Sequence, residues 1–242
     1  MALVTGASSG LGRHFARTLA REGATVAVAA RRLDRLAEVV EEIAEAGGSA
    51  LAVALDVSDN NAIVRAVQEV VDGPGLPTIL VNNAGVPDAQ RAHRMGVELV
   101  DQVLSTNLRG PWLLATDVAA RLIDAGLPGR IVNVSSMTAY QYAGEGAALY
   151  SVTKAAISRM TEALAVEWAR YGINVNAIAP GAFASEMMAG MIERVGDITS
   201  GFPRRRLGAP EQLESTLLYL VDRASEAVTG TIVKVDDGQM PR

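Results

Sequence analysis

Short apolar runs alternate with longer amphipathic stretches along the chain. The runs are ALVT (2–5), TVAVAA (25–30), SALAVALD (49–56), TILVNN (78–83), GRIVNVSS (129–136), INVNAIAP (173–180) and TIVKV (231–235). Most are continuously apolar, as expected of strands covered on both faces. Between them, helical spacing runs over 11–22, 32–47 with a glycine stop, 59–71, 97–125 with a break near Asn107, 151–171 and 210–221. This alternation predicts an α/β protein with a doubly wound parallel sheet of about seven strands and helices on both faces. No internal repeat or low-complexity linker divides it, so residues 1–242 read as one domain. Residues 182–208 carry no strand pattern but hold Phe183, Met187, Met188, Met191 and Phe202. They read as a mobile, partly apolar flap.

Composition narrows the setting. A formal charge of −5 argues against a nucleic-acid or anionic-membrane surface, and none is expected. The absence of cysteine removes disulfides and thiolate metal sites, and fits a reducing, cytoplasmic compartment. The start MALVTGASSG has no basic opening, so no signal peptide is expected, and no run of 18 apolar residues predicts a membrane span. His14 and His93 are too few and too scattered for a metal site or a serine triad. Trp112 and Trp168 read as packing residues.

Candidate chemistry begins at TGASSGLG (5–12), which follows the first strand and opens the first helix. Gly6, Gly10 and Gly12 would permit a tight turn and close approach to a pyrophosphate, which the free N–H groups of the helix start would bind. The spacing is GxxxGxG, and such a turn also occurs without a ligand. At the end of the second strand, where an acidic residue would hold the ribose hydroxyls of NAD, stand Ala30, Arg31 and Arg32. Arg31 could pair with a ribose phosphate, which favours NADP(H) and leaves NAD(H) possible. NNAG (82–85) would let a flat ring lie against the backbone. Asn107 is a poor choice inside a helix and would bend it.

Tyr150 and Lys154, in YSVTK, fall on one helix face. A free phenol titrates near pH ~10, and a fixed ammonium beside it favours the phenolate. The pair could then exchange a proton with a substrate oxygen. A half-buried tyrosine over a surface lysine is the plainer reading of that pair alone. The RRR run (204–206) suits either an anionic substrate or acyl carrier, or solvated and subunit-pairing arginines.

Taken in order, TGASSGLG, Asp56–Val57, NNAG, Asn107, the serine after strand five, YxxxK and Pro180–Gly181 resemble the short-chain dehydrogenase/reductase family across almost the whole chain. The resemblance implies a Rossmann-like fold and an NAD(P)(H)-dependent oxidoreductase interconverting a ketone and a secondary alcohol. Tyr150 would be the acid/base. Lys154 would be its partner and hold the nicotinamide ribose. Ser136 would bind the substrate oxygen, and Asn107 would serve a proton relay. Gly6, Ser8, Ser9, Gly10, Leu11 and Gly12 would cradle the phosphates, and Asp56 and Val57 would flank the adenine. Asn82 or Asn83, with Ala84 and Gly85, would line the cofactor, and Pro180, Gly181 and Ser185 its nicotinamide end. A homotetramer is implied, pairing helices 107–125 and 151–169 across subunits.

This chain departs from the family at three places. Tyr150 lies one residue farther from Ser136 than is usual, with the extra residue in 137–149. Ser9 stands where NADP users often carry a basic residue. Ser185 replaces the common threonine. The substrate is a small carbonyl or alcohol, either 3-oxoacyl or sugar-acid and polyol. The loops 86–96, 137–149 and 182–208 mix Asp88, Gln141 and Glu145 with Met137, Phe183 and Met187. A non-catalytic dinucleotide-binding or sensor protein is the alternative of another class.

Overall fold

A computed structural model describes residues 1–142, 144 and 146–239. Glu145 therefore lies outside the described residues. Seven strands form one parallel sheet: β1 Ala2–Thr5, β2 Thr25–Ala30, β3 Ser49–Ala54, β4 Ile79–Asn82, β5 Gly129–Val134, β6 Ile173–Pro180 and β7 Ile232–Val235. Their order is β3-β2-β1-β4-β5-β6-β7, as the alternating pattern predicts. Thr5 pairs with Ala29 on one side, and Val4 with Val81 on the other. The chain order reverses between β1 and β4, the switch point at which open parallel sheets bind ligands.

Helices cover both faces. On one side α3 (Asn60–Asp72), α5 (Gly110–Ala125) and α6 (Ala148–Trp168) pack through residues such as Ile63, Leu114, Leu122, Ile157 and Trp168 against Leu3, Leu80 and Ile131. On the other, α1 (Gly10–Arg21), α2 (Leu33–Glu45) and α8 (Glu214–Val221) bring Phe15, Leu36 and Leu217 to Val4, Val28 and Val132. Alternate residues of one strand serve the two cores, which is why its sequence reads as a continuous apolar run. Lys234 on edge strand β7 discourages further pairing there.

The structure bears out the break near Asn107 and refines or corrects other expectations. The 97–125 helix is α4 (Val97–Leu104), a π-helical turn at Ser105–Arg109 and α5, so the bend at Asn107 is an extra residue wound into the helix. The strand predicted over 49–56 stops at Ala54, and a 3₁₀ turn over Pro210–Leu213 precedes α8. The flap contains its own helix, α7 (Glu186–Val195), and an isolated parallel bridge from Phe183 to Gly208. Trp168 is buried, but Trp112 is 44% exposed on α5.

Candidate active site

The crevice starts at the seam between β1 and β4. Thr5 Oγ1 accepts from the backbone N–H groups of Asn83 and Ala84, both at 3.1 Å. Asn83 Nδ2 donates back to the carbonyls of Thr5 and Gly6 at 3.0 and 3.3 Å. The glycine turn and the NNAG segment are thus locked together. Gly12 has no room for a side chain, because a Cβ there would stand 2.3 Å from the Gly6 carbonyl oxygen. Gly6 and Gly10 have positive φ, which suits glycine. Asn82 goes elsewhere: buried, it donates to Pro111 O and Asn133 Oδ1. The residue from this pair that joins the glycine loop is Asn83.

Ser9 is the N-cap of α1 but makes no side-chain capping bond, so the first N–H groups of the helix have no cap from it. Such a helix start attracts an anion. Ser8, buried, and Ser9 instead accept from Arg32: Nε and Nη2 reach Ser8 Oγ at 3.3 and 3.2 Å, and Nη2 reaches Ser9 Oγ at 3.0 Å. Arg32 also pairs with Glu186 of α7 at 3.0 Å, which helps hold the Glu186 carboxyl below its usual range. Leu11, the second residue of α1, is partly buried and packs against the core, leaving its backbone for any ligand contact.

Asp56 accepts from the Ser58 amide and hydroxyl at 2.9 and 2.7 Å. Burial opposes its ionisation, but these bonds and the charge of Arg31 outweigh it, and the carboxyl titrates below its usual value. Arg31 therefore acts on the Asp56 rim, whereas Arg32 covers the glycine turn. Val57 is buried against α5, where Gly110 approaches the Val57 backbone too closely for any side chain.

Ser136, Tyr150 and Lys154 meet beyond the end of β5. Adjacent serines on an extended chain point opposite ways. Ser135 is buried and bonds to Lys154 O and Ser158 Oγ at 2.9 and 2.8 Å. Ser136 faces Tyr150 closely enough to lower the pKa of its phenol. It also accepts from Thr138 N and Oγ1. Lys154, 4% exposed, donates from Nζ to Val134 O at 2.7 Å and lies 5.5 Å from the Tyr150 ring centre.

The electrostatics differ from the sequence expectation that Lys154 lowers the phenol pKa. Desolvation pushes Tyr150 up to about 12, with Ser136 lowering it and Asp88 raising it further. Tyr150 keeps intermediate exposure, but the protein around its phenol favours the neutral form. Burial also lowers Lys154 to about 8.

Asn107 is fully buried in the π-helical turn. Its Oδ1 accepts from Val86 N and its Nδ2 donates to Val86 O, both at 2.8 Å. A Cβ at Gly85 would stand 3.5 Å from Asn107 Oδ1 and 3.7 Å from Lys154 Nζ, so the NNAG end reaches both residues. Pro180 ends β6, and Gly181 N donates to Val235 O at 2.9 Å. Ser185 caps α7 by accepting from Met188 N at 3.1 Å, and a Cβ at Gly10 would lie 3.3 Å from Ser185 Cβ. The start of the flap helix thus sits over the glycine turn. In the RRR run, Arg204 and Arg206 both pair with Asp237, at 3.0 and 2.9 Å.

These features fit a dinucleotide. The helix start lacks a side-chain cap, and Arg32 stands beside it. Lys154, buried, uses one acceptor among the described residues, Val134 O, for an ammonium with three protons. Among the described residues no His, Cys, Asp or Glu group could hold a metal, and no helix is long and apolar enough to cross a membrane. Sheet order, glycine turn and Ser–Tyr–Lys cluster define a dinucleotide-dependent oxidoreductase. The family model described as short chain dehydrogenase matches residues 1–195, and the chain belongs to that family. It is an NAD(P)-dependent dehydrogenase acting on CH–OH groups.

Gluconate 5-dehydrogenase of Gluconobacter oxydans is 34% identical over 240 residues, covering 98% of this chain and 93% of the relative. A short-chain type dehydrogenase/reductase from Mycobacterium marinum superposes with a TM-score of 0.95 at 34% identity, covering 100% and 95% of the two chains. A variant of actinorhodin polyketide ketoreductase with NADPH gives 0.93 at 35%, covering 98% and 96%.

Two site features escape the sequence motifs. The contact of Arg32 with Ser8 and Ser9 depends on the fold of the β2–α2 turn. Asp88 bonds the start of α6 from 61 residues away. A signal for the second existed: no Ser, Thr, Asp or Asn stands at the N-cap of α6, which is Ala147.

Proposed function

We propose that this chain is an NADP(H)-preferring dehydrogenase of a sugar acid or polyol, with Ser136, Tyr150 and Lys154 as its catalytic residues. The observation that carries the reading is the convergence of those three side chains beside the cofactor-lining Gly85. In the reducing direction Ser136 Oγ donates to the carbonyl oxygen, and the Tyr150 phenol, protonated at neutral pH, gives that oxygen its proton. Lys154, lowered to about 8, is poised to pass a proton back towards Tyr150. The nicotinamide, when bound, supplies the hydride. Asn107 fixes the Val86 backbone at the relay end of the site.

Support for NADP comes from Arg32. Ser9 brings no charge of its own, but the Arg32 guanidinium lies against it and Arg31 stands nearby on the Asp56 rim. The NADPH-holding ketoreductase is a relative in keeping with this. The sugar-acid or polyol class is favoured over an acyl-carrier thioester because Arg204 and Arg206 are already paired with Asp237. The similarity to gluconate 5-dehydrogenase points the same way.

A homotetramer fits the open groove of about 1070 Å³ between α4, α5 and α6, where Leu108, Met160 and the exposed Trp112 lie. A cytoplasmic setting fits the absence of cysteine.

The test is a panel of sugar acids, polyols and 3-oxoacyl thioesters with NADP and NAD, followed by nicotinamide absorbance. Turnover of a sugar acid or polyol is the expected result. Faster turnover of a thioester overturns the substrate class, and cofactor binding without turnover on any compound favours a sensor.

A further inference from the structure

Asp88 is a buried carboxylate that the mechanism above does not use. It is 3% exposed, in the loop that follows the cofactor-lining segment. Its Oδ2 accepts from the backbone N–H groups of Leu149 and Tyr150, at 2.8 and 3.2 Å. Its Oδ1 accepts from Ala89 N at 2.9 Å. The turn is tight enough to hold Ala89 at φ 49°, a left-handed value uncommon for alanine.

The reason lies in α6. This helix begins at Ala148 behind an alanine N-cap that has no side-chain acceptor, and its first turn holds no acidic residue. The first N–H groups of a helix have no partner within it, and they favour a negative charge. Asp88 supplies both the acceptor and the charge from another part of the chain. One of the two helix amides it binds belongs to Tyr150 itself.

The same loop is held at its other end. Asn107 clamps Val86 through both of its backbone groups. Between that clamp and Asp88 stands one residue, Pro87, so the first turn of α6 is tied to the segment that ends at Gly85. Three polar groups surround Tyr150: the Lys154 ammonium near its ring on the same helix, the Ser136 hydroxyl from the end of β5, and the Asp88 carboxylate from the β4 loop. Asp88 is the anionic member, and its charge disfavours the phenolate.

We infer that Asp88 is a positioning residue that caps α6 in place of a local side chain and sets Tyr150 in register with the cofactor-lining loop. The inference rests on Tyr150 as the acid/base, but its first test does not. Hydrogen exchange is measured on the amides of Leu149 and Tyr150 in wild type, Asp88→Asn and Asp88→Ala. Asparagine keeps an acceptor for the helix and loses the charge; alanine loses both.

Exchange should speed up strongly in the alanine variant and less in the asparagine variant. In turnover, kcat should fall roughly ten- to hundredfold for Asp88→Ala. Cofactor affinity, read by nicotinamide fluorescence, should stay near wild type in both. For Asp88→Asn, the rise of alcohol oxidation with pH should move down, because a charge that opposed the phenolate is gone.

Wild-type exchange at both amides in Asp88→Ala overturns the capping role. A normal pH profile in an active Asp88→Asn overturns the charge role. If the alanine variant does not fold, the asparagine variant decides both. A wild-type protein inert towards every substrate, with exchange still dependent on Asp88, counts against the proposed substrate class and leaves the cap standing.

Discussion

Arg32 Nη2 donates to Ser9 Oγ at 3.0 Å, placing a guanidinium where the residue in the glycine turn itself is neutral. The same nitrogen holds Glu186 on the flap helix at 3.0 Å. A phosphate on the adenosine ribose would replace that exposed carboxylate as the partner of Arg32. Bonds to an ionised partner contribute ~1.5–3 kcal/mol. Arg32→Ala should therefore weaken NADPH binding by about ten- to a hundredfold and NADH binding far less. Arg31→Asp should invert the preference, since it adds an acceptor for ribose hydroxyls and repels the phosphate. Fluorescence titration of both cofactors at fixed ionic strength measures this, and equal losses for the two cofactors would count against it.

Tyr150→Phe removes the phenolic proton and keeps the ring that Lys154 faces. Turnover should drop by ~10²–10⁴, the usual contribution of general acid/base catalysis. Cofactor affinity should hold. Steady-state rates beside a cofactor titration separate the two, and a variant with most of its kcat would remove Tyr150 from the chemistry.

The serine pair should divide its roles. Ser136→Ala should cost activity with little change in melting temperature, since its hydroxyl acts on the phenol. Ser135→Ala should do the reverse, because its buried hydroxyl joins Lys154 O to Ser158. The loss of stability should be about 1–3 kcal/mol. Denaturant unfolding and kcat/KM on both variants decide, and an inactive, stable Ser135→Ala would exchange the assignments.

Lys154 makes a prediction about stability as a function of pH. In the unfolded chain its amine keeps a proton up to about 10.5, and in the folded chain only up to about 8. Between these values the unfolded state binds more protons, so this group makes stability rise with pH across that window. Below pH 8 the full cost of burying the ammonium is present. Lys154→Met should therefore be inactive yet more stable at pH 7, by about 3 kcal/mol less whatever the freed Val134 carbonyl costs. Tyr150 works against this above pH 10, because its raised pKa makes stability fall there. Thermal melts of both proteins from pH 7 to 10 test the point: the gap should narrow as pH rises.

Much of this fold could be read from the order of apolar runs. A buried parallel strand such as β6 exposes none of its residues, and its sequence, INVNAIAP, departs from an apolar run only at two buried asparagines and the closing proline. The glycine turn and YxxxK were equally legible, because each needs particular residue types at fixed spacing. Less legible were features set by distant parts of the chain. Which asparagine of NNAG joins the glycine turn depends on strand pairing, which sends Asn82 to Asn133 and leaves Asn83 for Thr5. The phenol pKa depends on burial, which spacing does not report. The Asp88 cap joins segments 61 residues apart.

The π-helical turn at Ser105–Arg109 acts as a phase shifter between two screws. Each α-helical residue advances the thread by about 100°. One surplus residue therefore indexes α5 against α4 by that angle, aiming Asn107 at Val86 on one side and presenting Trp112 outward on the other. Deleting a single residue within the turn would regularise the winding and turn one end against the other by the same angle. The orientation of Asn107 and the outer face of α5 are thus mechanically geared: this chain cannot retime one without the other.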